Sequence, residues 1–250
     1  MKFDLKKLDF GFIKNAEHAK SFSLEARDFQ STKYKNEIQF IIGTQWFKNF
    51  DLTKTISSTS LNASKINTLI KQLKNTNSRN FDNLFKYNLS GLGNGEVLLY
   101  FLLDKASLGG GSSSGLDIVI GNEGYEMKAV NISADGYAYG FFTGRTLNVS
   151  AITERLATCV KDEFEGKIPA STQEIRKSAI GTLRENKNKT FLKIENDYRD
   201  LVYNNYFSKH KTIFFDNKTG EIAFMGIVDK PQIFIETVTQ SQIKPMIKIK

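Results

Sequence analysis

Cys159 is the only cysteine in the 250 residues, which excludes an intramolecular disulfide and any zinc site built on several cysteines. Two histidines, His18 and His210, are too few for a multi-histidine metal centre or a histidine-centred metalloprotease. Long apolar runs are also missing. The longest, VLLYFLL at 97–103, is far shorter than the ~20 residues that cross a bilayer. The N-terminal stretch MKFDLKKLDFGFIKNAEHAK holds no apolar core of a signal peptide, so a cytoplasmic protein without a membrane partner is expected. The glycine-rich stretch GGGSSSG at 109–115 lacks the Gly-Lys-Ser/Thr ending of a P-loop. No base is evident beside Ser112 to Ser114, which argues against serine chemistry. No repeat period marks a solenoid or propeller.

What is present is basic. A formal net charge of +8 and a pI near 9.3 favour a polyanionic partner, nucleic acid or an anionic surface. Hydrophobic residues at 40% and charged residues at 25% suit a soluble globular chain, long enough for one large domain with a modest extension. A hard-cation site made of carboxylates needs neither cysteine nor histidine, and stays open.

Periodicity predicts the elements. EIQFIIGTQWF at 37–47 reads as a buried strand, and SKINTLIKQLK at 64–74 places Ile66, Leu69, Ile70 and Leu73 on one helical face. GLGNG at 91–95 breaks the chain before EVLLYFLLD at 96–104, a helix apolar nearly all round and therefore central. GGGSSSG is expected to be a mobile loop. LDIVI and YEMKAV follow as strands around a GNEG turn at 121–124, and YAYGFF at 137–142 is a third strand. Ile152, Leu156, Val160 and Phe164 line a helix. Ser171 and Glu174 resemble a capping box after Pro169, and Phe191, Ile194, Tyr198 and Leu201 line another helix. KTIFF and EIAFMGIV flank the turn DNKTG, and IFIETV follows, which together indicate a mixed α/β domain.

Charges stand inside the apolar hairpin at 116–130. Strand alternation puts Asp117 and Val119 on one face, and Leu116, Ile118 and Ile120 on the other. On the second strand Glu126, Lys128 and Val130 share a face. With GNEG as the turn, Asp117 lies opposite Lys128, about 5 Å apart at Cβ, with Glu126 diagonal at about 7–8 Å. Two converging carboxylates can hold a divalent cation, which Mg²⁺ completes with a backbone carbonyl, waters and phosphate oxygens. A plain cross-strand ion pair between Asp117 and Lys128 is the structural alternative.

Asp117 followed on the next strand by Glu126-Met127-Lys128 resembles the PD-(D/E)xK nuclease superfamily, whose members share a restriction-endonuclease-like fold. Glu96, opening the preceding helix, is similar to the acidic residue which that family carries there, although an acid at a helix start also suits the macrodipole. The resemblance spans residues 92–165, and Leu116 stands where the family has proline. It implies an α/β fold with a restriction-endonuclease-like mixed β-sheet core flanked by helices over 91–250. Residues 1–90 would be an extension packed on that core for dimerisation or DNA reading. It implies Mg²⁺, with Mn²⁺ as a substitute, held by Asp117, Glu126, the Met127 carbonyl and Glu96. Lys128 would position the attacking water. The implied activity is endonucleolytic cleavage of double-stranded DNA by a homodimer, most like a type II restriction endonuclease of prokaryotic or phage origin. A phage-type recombination or repair nuclease, an inactive DNA-binding or virion-associated protein, and RNA as substrate are the alternatives. Arg145, Lys209 and Lys211 are candidate phosphate contacts.

Overall fold

A computed structural model describes residues 62–76, 93–103, 106–111, 116–142, 147–168, 174–227, 229–239 and 242–249. The strand expected at 37–47, most of the 1–90 extension, Ser171 and Arg145 lie outside these residues. The chain is mixed α/β, and it divides into two compact units: Met1–Ala129 with Asn217–Ala223, and Val130–Asp216 with Phe224–Lys250. No helix among the described residues is long and apolar enough to cross a membrane.

The first unit contains α1 (Ala63–Thr76), α2 (Asn94–Leu102), β1 (Ala106–Gly111), β2 (Leu116–Ile120) and the start of β3 (Glu123–Ile132). Ile66, Leu69 and Ile70 of α1 are buried as their spacing predicts. The Asn67 side chain brackets one peptide unit, donating to the Ile222 carbonyl at 2.9 Å and accepting its N–H at 2.7 Å. Leu98, Leu99, Leu102 and Leu103 are buried, as expected of a helix with little polar surface, and α2 packs on β1 and β2.

The expected loop at 109–115 is corrected at its start. Residues 109–111 belong to β1, which pairs antiparallel with β2 from Ala106↔Ile120 to Gly111↔Leu116, with a register shift between Leu108 and Gly111. ASLGGG carries no apolar alternation and little β-propensity, so the strand owes its existence to its partner's ladder. The residues that would continue the loop, 112–115, lie outside the described set.

In the second unit the chain forms β4 (Tyr137–Tyr139), α3 (Ser150–Glu163), β5 (Glu174–Ile175), α4 (Lys177–Glu185) and α5 (Lys189–Val202). It then forms β6 (Lys211–Asp216), β7 (Ile222–Met225, begun in the first unit), β8 (Ile233–Thr239) and β9 (Gln242–Lys248). The end of β3 pairs with β4, β4 with β9, β9 with β8 and β8 with β5, each antiparallel, while β6 pairs with β3 and β7. Helices α3, α4 and α5 pack on one another, and α4 and α5 on β8, through Leu156, Leu183, Phe191, Ile194 and Tyr198.

One expectation fails here. Glu174 is no capping residue: Glu174 and Ile175 pair with Thr239 and Val238, and α4 starts at Lys177 without a side-chain cap. Burial of Ile175 and the ladder bonds outweigh a cap. The basic C-terminal stretch forms β9, where buried Ile243, Pro245 and Ile247 alternate with half-buried Lys244, Met246 and Lys248.

Candidate active site

The hairpin is tighter than the sequence suggests. Its pairs are Ile118↔Tyr125, Val119↔Gly124 and Ile120↔Glu123, so the loop is Gly121-Asn122 alone and Glu123 and Gly124 already belong to β3. Gly121 has φ +63°, the positive angle that a two-residue hairpin needs at its first central position to match strand twist. The predicted opposition of Asp117 and Lys128 is therefore corrected. Extending the observed register places Asp117 across from Glu126.

The two faces segregate as alternation requires. Ile118, Ile120, Tyr125 and Met127 are buried on one side, while Asp117, Val119, Glu126 and Lys128 are half-buried on the other. Leu116 departs from the inner row. It is half-buried and lies over Gly124, where an added Cβ would meet Leu116 Cδ1 at 2.5 Å. The alternation breaks further along β3, where Ala129 is exposed and Val130, the first residue of the second unit, is buried.

Each charged group is held. Asp117 Oδ2 accepts the Met127 N–H at 2.7 Å, a side chain supplying a cross-strand bond. Lys128 Nζ donates to Glu126 Oε1 at 2.6 Å, along its own strand rather than across the hairpin. On the buried side, the Tyr125 hydroxyl donates to Glu123 Oε2 at 2.6 Å; burial first, then this bond, pushes its pKa up.

Glu96 joins this cluster from the third position of α2. Its carboxylate accepts the N–H of the N-cap residue Gly93, half of a capping box. Closeness explains the glycine: an added Cβ at Gly93 would sit 3.0 Å from Glu96 Oε1. Burial raises the Glu96 pKa to about 8, helped by the charges of Asp117 and Glu126, and opposed by the Gly93 N–H and Lys128. Sequence reasoning identified Glu96 but not Gly93, whose signal is the glycine directly before the helix.

Glu96, Asp117, Glu126 and Lys128 are thus brought into one electrostatic cluster, with Met127 buried between the last two. Lys209 is exposed after the π-helical turn Tyr203–Phe207 and Lys211 is half-buried in β6, both in the second unit. Among the described residues, no three His, Cys, Asp or Glu side chains form a cage able to hold a metal ion by themselves. Mg²⁺ keeps several waters and needs only one or two carboxylates, so Asp117 and Glu126 suffice as protein donors. Three acids against one lysine leave an excess of negative charge, which adds to the effect of burial in raising the Glu96 pKa. Comparison with protein-family models, with curated proteins and with solved structures finds no match for this chain.

Proposed function

We propose that the chain is a Mg²⁺-dependent endonuclease of the restriction-endonuclease-like fold that hydrolyses phosphodiester bonds in double-stranded DNA, most like a type II restriction endonuclease. The observation that carries this is the convergence of Glu96, Asp117 and Glu126 with Lys128 in one cluster, where burial first and the neighbouring carboxylates next raise the Glu96 pKa to about 8. Asp117, Glu126 and the Met127 carbonyl would hold the ion. When bound, Mg²⁺ lowers the pKa of water and neutralises charge developing on the phosphate. Lys128, held by Glu126, orients the attacking water and pairs with the phosphate oxygens as their charge grows. Glu96 orients that water from the helix start, or supports a second ion. The basic balance of the chain favours DNA, and two cuts on opposite strands favour a homodimer acting in the cytoplasm.

A second role has an observation of its own. The bond from Gly93 to Glu96 and the pairing of Lys128 with Glu126 also suit a purely structural cluster that ties α2 to the hairpin. Plasmid incubated with protein in Mg²⁺ or in EDTA, alongside Asp117→Ala, separates the two. Metal-dependent fragments lost in the variant support the nuclease. Intact plasmid under every condition supports the structural role. Discrete fragments point to restriction, and branch-selective nicking to recombination or repair.

A further inference from the structure

The second unit carries a cavity of about 460 Å³ between α5 and the start of β8. Glu195, Asn196 and Arg199 line it from the helix; Lys230, Gln232 and Phe234 line it from the strand and the segment before it.

Glu195 is 5% exposed, a buried carboxylate in the wall of an open cavity. Its Oε1 accepts from Arg184 Nη2 at 2.5 Å and from the Ile235 N–H at 3.0 Å. Its Oε2 takes no hydrogen bond from any described residue. That oxygen is not fully shut off from solvent, and the cavity is where a donor can reach it. The carboxylate cannot swing away to find one. Arg184 pins it, with its guanidinium over the rings of Phe191 and Phe234 at 5.5 Å each and a second bond to the Ile235 carbonyl at 2.9 Å.

The rest of the wall has the opposite sign. Arg199 gives Nε to Asp200 and Nη1 to Asn196, which fixes its plane, while Nη2 makes no hydrogen bond to any described residue. Lys230 is exposed, its ammonium 5.7 Å from the Tyr203 ring centre. Pro231, Ile233 and the half-buried Phe234 supply apolar surface for a flat ring. The site therefore asks for a hydrogen-bond donor at one end, an anion at the other and a planar body.

We propose that this cavity binds a nucleotide whose base bears an exocyclic amino group, the amino group donating to Glu195 Oε2 and the phosphate pairing with Arg199 and Lys230. Cytosine N4 supplies such a donor, whereas uracil and thymine turn a carbonyl oxygen to the same place and face a carboxylate. The inference does not depend on hydrolysis at the hairpin, since every residue it uses lies in the second unit. A free nucleotide and a base within a strand share this chemistry.

Calorimetric titration of the full chain in EDTA, where cleavage is excluded, tests it with CMP, UMP, cytidine and short single-stranded oligo-dC and oligo-dT. Glu195 substitutions would break the Arg184 pair, so the variant is Arg199→Ala with Lys230→Ala, both at exposed or half-exposed positions. The expected result is CMP binding about tenfold or more tighter than UMP, with the variant reducing CMP to the affinity of cytidine and leaving cytidine unchanged. Oligo-dC preferred over oligo-dT without measurable CMP binding would assign the same site to a base within a strand. Equal affinities for CMP and UMP, a variant that binds CMP as the parent does, or no preference with either probe pair would overturn the proposal.

Discussion

Asp117 Oδ2 accepts the backbone N–H of Met127 at 2.7 Å, fastening the first acid of the hairpin to the residue between Glu126 and Lys128. One carboxylate thus has a structural bond and a proposed metal-binding role, and the two can be separated. Asp117→Asn keeps an oxygen that accepts the Met127 N–H but removes the charge. The expected outcome is a thermal midpoint near the parent's and plasmid cleavage reduced at least about a hundredfold. Asp117→Ala loses both and is destabilised by about 1–3 kcal/mol, the cost of an unsatisfied N–H. Undiminished cleavage by Asp117→Asn would leave the hydrogen bond as the residue's whole role.

Glu96 gives the protein a pH-dependent stability of unusual sign for a carboxylate. Its pKa is raised from 4.5 to about 8, first by burial and then by Asp117 and Glu126, so between those values the folded chain binds more protons than the unfolded one. Stability conferred by the neutral acid is fully present below about pH 4.5 and is lost as pH rises through about 8. The loss is a few kcal/mol, because the half-buried side chain retains part of its solvent. Glu96→Gln should flatten this slope in urea titrations at a series of pH values, since glutamine keeps the backbone bond but cannot ionise. The same variant should lose cleavage if Glu96 orients water, and keep it if the residue only caps the helix. Mg²⁺ should flatten the parent's slope too, and should do so less in Glu126→Ala.

Much of this was legible in the chain. Alternation of Asp117 and Val119 against Ile118 and Ile120 showed which hairpin face carries charge, because period two is a property of any strand. The register was not legible. GNEG reads equally as a four-residue turn or as a two-residue turn followed by Glu123 and Gly124 in strand, and only the φ of Gly121 decides. β1 was hidden for another reason: ASLGGG has no pattern of its own, and pairing with β2 imposes its conformation. The Glu195–Arg184 pair was hidden as well, since a charged residue at a helical position usually faces water and nothing local announces burial.

Gly93 offers a probe of the same cluster from the backbone side. Its φ of −78° and ψ of 153° suit any residue, so Gly93→Ala strains nothing by itself. Its Cβ would lie 3.0 Å from Glu96 Oε1 and push the carboxylate off the Gly93 N–H. The expected cost is about 0.5–2 kcal/mol of stability, as for a lost cap, with a lower cleavage rate if Glu96 serves the reaction. Gly93→Ala combined with Glu96→Gln should then cost less than the sum of the two, because both act on one contact.

The edge of β8 sets the last expectation. β5 pairs with β8 only at Val238 and Thr239, and the Ile235 N–H and carbonyl are met instead by Glu195 and Arg184. The ion pair thus does at that edge what a neighbouring strand would do. Removing one member leaves the other's charge and a peptide group without partners. Glu195→Ala should destabilise the fold by about 3–5 kcal/mol in urea titration, whereas Arg184→Met with Glu195→Leu should recover part of that loss, because no lone charge remains inside. If the double variant were the less stable of the two, the pair's worth would lie in capping the Ile235 backbone rather than in balancing its own charges.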